Sequence, residues 1–426
     1  MMSREMSDAR RTGTFIALFP LSGTRCCWCH LVFIVILLCS LMQPIAWGQS
    51  LPTTRQSPAG QWGRIANSLH HDENIRGALF FAGPPNAKTL PLYTRHPQEP
   101  ERYNWANEDS VAFTLKQMKD AGLNTIKLSY WGHEGETEKW SPALLFSKTR
   151  WPGETQASAN EYTEAEQTAR GKAFFRQAQA QGLLVAPMLE VSPAFHFYEE
   201  FPAKLDPLVA RAEWLLRNFG NETNWLQVYD QNGKPRHVVW LIETIHAGPI
   251  DPKQFAQGFE EAGQRLKTSG YSVGFIIDPT PLPPYGSDAG PEPQALRACP
   301  AILAINPFNI MSQGLLPHAK LGDITEPERQ EYAESILKRW SASGIPLIAP
   351  ILPGYDAHLV FPDLPSYGFN ATWRQRQKEL ALKYQTAGIS IDLWNGWAEG
   401  YAIPPSMEEG STNLVWVQDV LRNLPK

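Results

Sequence analysis

Residues 387–394 read Ala-Gly-Ile-Ser-Ile-Asp-Leu-Trp, a glycine followed at once by a short apolar segment rich in β-branched residues. A helical pattern from Thr372 to Ala387 precedes this segment. Glycine at such a position favours the left-handed cap that ends a helix, and the residues after it are typical of a buried strand. The stretch therefore predicts a helix that ends in a tight turn and leads directly into a strand.

The same order of helix, glycine and strand recurs at Gly122, Gly182 and Gly344. Near-continuous apolar strands that alternate with amphipathic segments are typical of a parallel sheet covered on both faces. No dinucleotide fingerprint or phosphate-binding loop follows any strand, which disfavours an open nucleotide-binding sheet. Eight such units predict an α/β fold of the (β/α)8 TIM barrel type. The predicted strands are Ala78–Ala82, Thr125–Trp131, Leu183–Leu189, His237–Thr244, Ser272–Asp278, Ala301–Asn306, Pro346–Leu352 and Ile389–Trp394.

The predicted helices are long except for the fifth. Residues 279–293 are crowded with proline and glycine, so only Gln294–Ala298 is left for that helix. The remaining predicted helices are Asp109–Ala121, Ala165–Gln181, Leu205–Phe219, Pro252–Thr268, Pro327–Ser343, Thr372–Ala387 and Leu414–Leu424.

Residues 1–48 have the layout of a secretory signal peptide. A basic stretch through Arg25 precedes an apolar run near Leu31–Cys39, and Ala46-Trp47-Gly48 resembles a cleavage site. The run is shorter than the roughly 20 residues of a membrane span, so we expect cleavage and no stable membrane association afterwards; an uncleaved anchor is the alternative. The predicted location is secreted or periplasmic. After the leader we predict a polar tether at 49–72 and one catalytic-type domain at 73–426.

Composition narrows the class of protein further. The net charge is -5 and no basic stretch follows the leader, so nucleic acid is not an expected partner. Four of the five cysteines lie in the leader, which leaves Cys299 and excludes an internal disulfide in the mature chain. Stability must then come from a large core, and we expect a monomer. The 15 tryptophans favour carbohydrate handling, with an aromatic-rich core as the alternative.

The segment after the last strand, Trp394–Gly400, combines side chains that suit a sugar site. Trp394 and Trp397 offer flat apolar faces, Asn395 offers donors and an acceptor, and Glu399 can carry or deliver a proton. Stacking faces, hydroxyl partners and a carboxyl group are what glycoside cleavage requires. The alternative is a tryptophan-rich strand end that packs under a loop, with Glu399 solvated.

Carboxylates also follow other predicted strands, and the carboxyl ends of barrel strands form the active-site face. Glu243 ends an apolar run, where an ionised carboxylate is costly unless it is paired or functional. Glu190 could instead cap the next helix, and Asp356 could serve as a turn residue. His246 belongs to no ligand-spaced motif, so we predict no metal site and no cofactor. The expected substrate contacts are Tyr130, Trp131, His246, Asn306, Tyr355, Trp394, Asn395 and Trp397.

The sequence Asn395-Gly396-Trp397-Ala398-Glu399-Gly400, followed by Ile403-Pro404-Pro405, resembles the Asn-Glu-Trp-x-Glu-Gly and Ile-x-Pro signature of glycoside hydrolase family 99, the endo-alpha-mannosidase-like barrels. Pro353-Gly354-Tyr355-Asp356 also resembles the Pro-Gly-Trp-Asp of related bacterial barrels. The resemblance implies a (β/α)8 fold and retaining hydrolysis of alpha-linked mannose-type glycans with participation of the sugar 2-OH. It makes Glu399 the general acid/base. Gly396 stands where the family has its other glutamate.

Three interpretations follow from Gly396. Glu243 or Glu190 could supply the partner carboxylate, Glu243 could be the acid/base with Asp356 as nucleophile, or the barrel could bind carbohydrate without cleaving it. We predict a glycoside hydrolase in which Glu399 is the general acid/base and Glu243 the second carboxylate, with Glu190 and Asp356 in reserve.

Overall fold

The computed structural model describes residues 61–68, 73–81, 92–103, 107–130, 162–190, 205–242, 252–279, 293–308, 310, 324–360, 362 and 366–425. All of them belong to one compact unit that spans Gln56–Lys426. The predicted signal peptide, 1–48, lies outside the described residues. None of the helices in the described ranges is long and apolar enough to cross a membrane.

Eight parallel strands of the described chain form a nearly closed barrel, which confirms the predicted fold. Hydrogen-bonded neighbours follow the order β6-β5-β4-β3-β2-β1-β8-β7. Between the two ends of this order, Ile305 and Leu347 form a parallel bridge, and the Ile305 N–H donates to the Pro346 carbonyl at 2.8 Å. The strands are β1 (Ile75–Phe80), β2 (Thr125–Tyr130), β3 (Leu184–Glu190), β4 (Pro235–Ile242), β5 (Val273–Ile277), β6 (Ile302–Ile305), β7 (Ile348–Ile351) and β8 (Gly388–Ile391).

Each strand is followed by the helix of the same number. Thr163 begins α2 and Thr325 begins α6 with reciprocal capping boxes, which satisfy backbone donors that a helix start leaves unpaired. The helices are α1 (Glu108–Asp120), α2 (Glu164–Ala180), α3 (Asp206–Phe219), α4 (Pro252–Thr268), α5 (Pro293–Arg297), α6 (Glu326–Ala342), α7 (Ala371–Tyr384) and α8 (Thr412–Arg422).

The largest differences from the predicted boundaries are at β1, at the end of α7 and at β8. Strand β1 begins at Ile75 rather than Ala78, since Arg76 and Gly77 join the ladder although neither favours a strand.

Helix α7 ends at Tyr384 rather than Ala387, and Gln385 is its cap, so Gly388 is the first residue of β8 and not the helix cap predicted for it. Strand β8 ends at Ile391 rather than Trp394, because the Trp394 N–H donates to the Leu79 carbonyl at 2.7 Å instead of continuing the β7 ladder. This bond holds the end of β1 against the segment that follows β8.

The amino end of the barrel carries an unpredicted short strand, Gln227–Tyr229, antiparallel to β4. Residues 61–68, from the predicted tether, pack along it: Ile65 forms a bridge with Val228 and is fully buried. This part of the chain covers the entrance to the apolar barrel interior.

Two hydrophobic layers surround the strands, and alternation along β2 illustrates them. Ile126, Leu128 and Tyr130 belong to the layer between strands and helices, so Lys127 and Ser129 face the barrel interior. The inner layer is apolar and contains Ile75, Leu79, Leu184, Ala186, Met188, Val238, Trp240, Ile276, Leu303 and Ile348.

Candidate functional site

The segment after β8 folds back and joins two neighbouring loops. The Trp397 carbonyl accepts the Thr94 and Arg95 N–H groups, at 3.1 and 3.0 Å. The Glu399 carbonyl accepts the Asp356 N–H at 2.9 Å. These bonds place Glu399 beside the segments that follow β1 and β7, at the carboxyl end of the barrel.

Glu399 has a phenol as partner. The Tyr401 hydroxyl donates to Glu399 Oε2 at 3.0 Å, and the carboxylate is half-buried whereas Tyr401 is only 3% exposed. Burial, together with the nearby charge of Glu399, raises the pKa of Tyr401 well above its ordinary value. The phenol therefore remains a neutral hydrogen-bond donor at neutral pH.

Asp356, the carboxylate beside Glu399 in the backbone network, is held by an arginine and a histidine side chain. Arg95 Nη1 lies 3.3 Å from Asp356 Oδ2, and His358 Nδ1 lies 2.6 Å from Oδ1. The Thr94 hydroxyl donates to the Asp356 carbonyl at 2.6 Å. Asp356 is 9% exposed, so its orientation is set by these partners rather than by water.

The structure thus joins the backbones of two of the four residues predicted to supply carboxylates, Glu399 and Asp356. Glu190 is the last residue of β3 and pairs with Ile242 in the ladder; its side chain lies outside the description. Glu243, Trp131 and His246 lie outside the described residues. Their predicted roles stay predictions.

Those predicted aromatic contacts that the structure describes are buried. Trp394 is fully buried and Trp397 is 2% exposed; the Trp397 ring packs edge-on against Tyr103 at 5.4 Å between centroids. Tyr130 faces the helices and stacks on Trp214 at 5.5 Å. Tyr355 stacks on Tyr401 at 5.6 Å. These rings pack as core, so sugar stacking on any of them would require a change in the surrounding packing.

The two side-chain amides that were predicted to contact substrate form hydrogen bonds within the protein instead. Asn395 Oδ1 accepts the Phe81 N–H at 3.1 Å, while its Nδ2 donates to the Phe81 carbonyl at 2.6 Å. Asn306 Oδ1 accepts from Trp240 Nε1 at 3.1 Å, and its Nδ2 donates to the Ile348 carbonyl at 3.0 Å. Asn395 links the loop after β8 to β1, and Asn306 links strands across the barrel interior.

A buried lysine lies below the mouth. Lys127 Nζ is 3.5 Å from Asn306 Oδ1 and 5.2 Å from the centre of the Trp240 ring. Burial lowers the pKa of Lys127 to about 8, although the negative charges of Asp392 and Asp278 act in the opposite direction. The lysine therefore carries its charge at neutral pH against a desolvation cost that the two carboxylates reduce.

The sequence analysis did not predict three residues of this site: Arg95, Asp392 and Tyr401. Asp392 had a sequence signal, since it is a charged residue directly after an apolar strand. Tyr401 lies two residues after Glu399, so spacing was the signal available for it, whereas Arg95 had none, because only the folded loops bring it to Asp356.

Neither a metal centre nor a reactive thiol is present in the described part of the chain. No group of three or more His, Cys, Asp or Glu side chains there could hold a metal ion. Burial raises the pKa of the Cys299 thiol to about 12, which keeps this side chain protonated and poorly nucleophilic.

No family model and no curated protein matches this chain. Solved structures do match. The glycoside hydrolase family 99 endo-alpha-mannosidase from Bacteroides thetaiotaomicron, in complex with bis-tris-propane, is 13% identical over 82% of this chain and 95% of that chain, with a TM-score of 0.51. An exo-beta-1,4-mannosidase from Opitutaceae bacterium strain TAV5 is 13% identical over 86% of this chain and 61% of that chain, with a TM-score of 0.50. At these identities the likeness shows a shared barrel fold.

Proposed function

We propose that this chain is a glycoside hydrolase whose active site lies at the carboxyl ends of β7 and β8, with Glu399 as general acid/base. The observation that carries the proposal is the pairing of Glu399 and Asp356 through the 2.9 Å backbone bond at the mouth of the barrel. Two carboxyl groups on one side of a sugar site are the usual requirement for cleaving a glycosidic bond. The barrel shared with two mannosidases supports a mannose-containing glycan as substrate. The predicted leader supports a secreted or periplasmic location.

The second carboxylate has two candidates. Glu243 is the choice from sequence, because it ends an apolar strand. Asp356 is the candidate within the described residues, and Arg95 and His358 are suitable partners for its ionised form. Glu190 is the remaining reserve.

The test is reducing-end release by the purified protein, expressed with its own leader, on alpha- and beta-linked mannans and glucans. Loss of a general acid/base lowers turnover by about 10²- to 10⁴-fold, so we expect Glu399→Gln to do so without changing the melting temperature. Glu408→Gln is the matched control, since this carboxylate pairs with His96 on a more exposed surface. Asp356→Asn and Glu243→Gln then identify the second carboxylate. Undiminished turnover by Glu399→Gln would refute the assignment.

One observation favours a second candidate, a carbohydrate-binding barrel without catalysis. A side chain at Gly396, where the resembling family has a glutamate, would lie 2.9 Å from the Tyr401 ring. Binding of one of these glycans by the wild-type protein, with no release from any of them, would support this alternative.

A further inference from the structure

We infer that Tyr401 is the positioning residue for Glu399 and that its ring occupies the space a side chain at position 396 would need. The catalytic half of this inference rests on the proposed function. The steric half does not, since it concerns only how residues 396 and 401 pack.

The steric half follows from the distances around Gly396. A Cβ at this position would lie 2.9 Å from Tyr401 Cδ2 and 3.1 Å from Cε2, closer than real contacts of this kind. The ring has little freedom to move aside, because it stacks on Tyr355 at 5.6 Å and is only 3% exposed. A small residue at 396 and a large ring at 401 are therefore complementary.

The positioning half follows from the hydroxyl. Tyr401 donates to Glu399 Oε2 at 3.0 Å, and a fixed donor sets the orientation of a carboxylate that is otherwise half-exposed. The ionisable groups that act on the phenol are Glu399, Tyr355 and Asp392; each acts to keep it protonated. Because the hydroxyl is buried, it does not touch substrate and acts through Glu399.

A consequence for the reaction concerns the partner carboxylate. With position 396 closed by the ring, a second carboxylate cannot project from there. It must come from another strand end, and Asp356 is already joined to Glu399 through the backbone.

Tyr401→Phe keeps the ring and removes only the donor. We expect kcat to fall roughly 10- to 100-fold, the value of a hydrogen bond to a charged group, with KM within about threefold. One limb of the pH–rate profile should move to higher pH, because losing a donor to the carboxylate favours its protonated form. The melting temperature should remain near that of the wild type.

Glu399→Gln in the same assay separates the two proposals. If Glu399→Gln is inactive while Tyr401→Phe keeps wild-type kcat and pH profile, the positioning role is wrong and the proposed function stands. If Glu399→Gln is fully active, the proposed function fails whatever Tyr401→Phe does.

A double-mutant cycle tests the steric half of the inference by melting temperature alone, with no activity assay. Gly396→Ala should lower the melting temperature in the wild type and equally in Tyr401→Phe, where the ring remains. It should cost less in Tyr401→Ala or, if that variant does not fold, in Tyr401→Leu, where only the contact of the added Cβ with Leu393 Cδ2 at 3.0 Å remains. The same loss in every background would overturn the inference, since the penalty would then be independent of the ring.

Discussion

The two ends of the barrel arrange their buried polar side chains differently. At the amino end they are held by close partners: Asn124 Oδ1 accepts the Arg76 N–H at 2.8 Å and its Nδ2 donates to the Asn74 carbonyl at 2.9 Å, while the buried Asp230 pairs with Arg236 at 2.8 Å. At the carboxyl end, the amides Asn306 and Asn395 are accompanied by several ionisable groups, which include Lys127, Asp278, Asp356, Asp392 and Glu399. Amides hold one geometry at every pH, whereas carboxylates and amines can exchange protons. The amino end is thus suited to stability and the carboxyl end to chemistry.

A cavity at the amino end lacks the chemistry of a glycosidase site. A cavity of about 590 Å³ opens at the amino end, with Arg76, Lys119, Asn124 and Asn224 among its lining residues. Glu73 is the carboxylate of this lining and lies 3.8 Å from Arg76. A single carboxylate paired with arginine does not meet the needs of glycoside cleavage, so chemistry rather than volume locates the candidate site.

The largest expected effect is at the amino end, where β8 begins. Gly388 has φ +146°, and a Cβ there would lie 1.9 Å from the Ile75 carbonyl oxygen of β1. These two residues are paired in the ladder, so the backbone cannot move away without separating the strands. We expect Gly388→Ala to lower the free energy of unfolding by about 4 kcal/mol or more, measured by urea unfolding.

Gly233→Ala is the matched control for that substitution. Gly233 also has positive φ, +72°, but nothing lies within 4 Å of an added Cβ. Its cost should be roughly 1 kcal/mol, that of a left-handed backbone alone. Equal losses in the two variants would show that backbone conformation, not the contact between β1 and β8, sets the penalty.

The second largest expected effect on stability concerns Lys127, which lies near the carboxyl end of the barrel. Its pKa is about 8 when folded, whereas an unfolded lysine has a value near 10.4. Between these values the unfolded chain binds more protons, so the free energy of unfolding should rise with pH, by up to about 3 kcal/mol. Below pH 8 the cost of burying the charge is fully present.

Lys127→Met should remove this rise. The measurement is the difference in unfolding free energy between wild type and variant from pH 8 to 10, which cancels other titrating groups. Lys116→Met is the control, because Lys116 is exposed and 2.6 Å from Asp120. Parallel profiles for wild type and Lys127→Met would contradict the assignment of the pH dependence to this lysine.

The difference between the two ends also shows what could be read from sequence. The eight units were predictable, since several turns from helix to strand have local signals such as Gly182, which precedes Leu183 and takes the predicted positive φ, +65°. Glu399 and Asp356 were predictable as mouth residues because each follows a strand. The end of β8 was misplaced, since the apolar pattern continues to Trp394 although the hydrogen bonds pass to Leu79.

The partners of the two carboxylates differ in their separation along the chain. Tyr401 and His358 each lie two residues after the carboxylate they contact, whereas Arg95 reaches Asp356 from the segment after β1, which no local pattern indicated. Asn395 has the composition of a sugar contact, yet its amide bonds to Phe81. Tertiary contacts, which no local pattern encodes, decide whether a polar side chain faces a ligand or the protein.

The smallest expected effects are at Asp356, whose two partners differ in exposure. Arg95 is 13% exposed in its side chain and also lies over the Phe369 ring at 4.0 Å, while the His358 side chain is 55% exposed. An ion pair in water contributes little, so His358→Ala should change the free energy of unfolding by about 0.5 kcal/mol or less. Arg95→Met should cost about 1 to 3 kcal/mol, because it leaves a largely buried carboxylate with one partner fewer.

Urea unfolding of both variants measures the contrast directly. Equal losses would mean that the shorter His358–Asp356 distance of 2.6 Å has more influence on the free energy of unfolding than the exposure of the His358 side chain. Exposed as well as buried ion pairs at the carboxyl end would then stabilise the barrel.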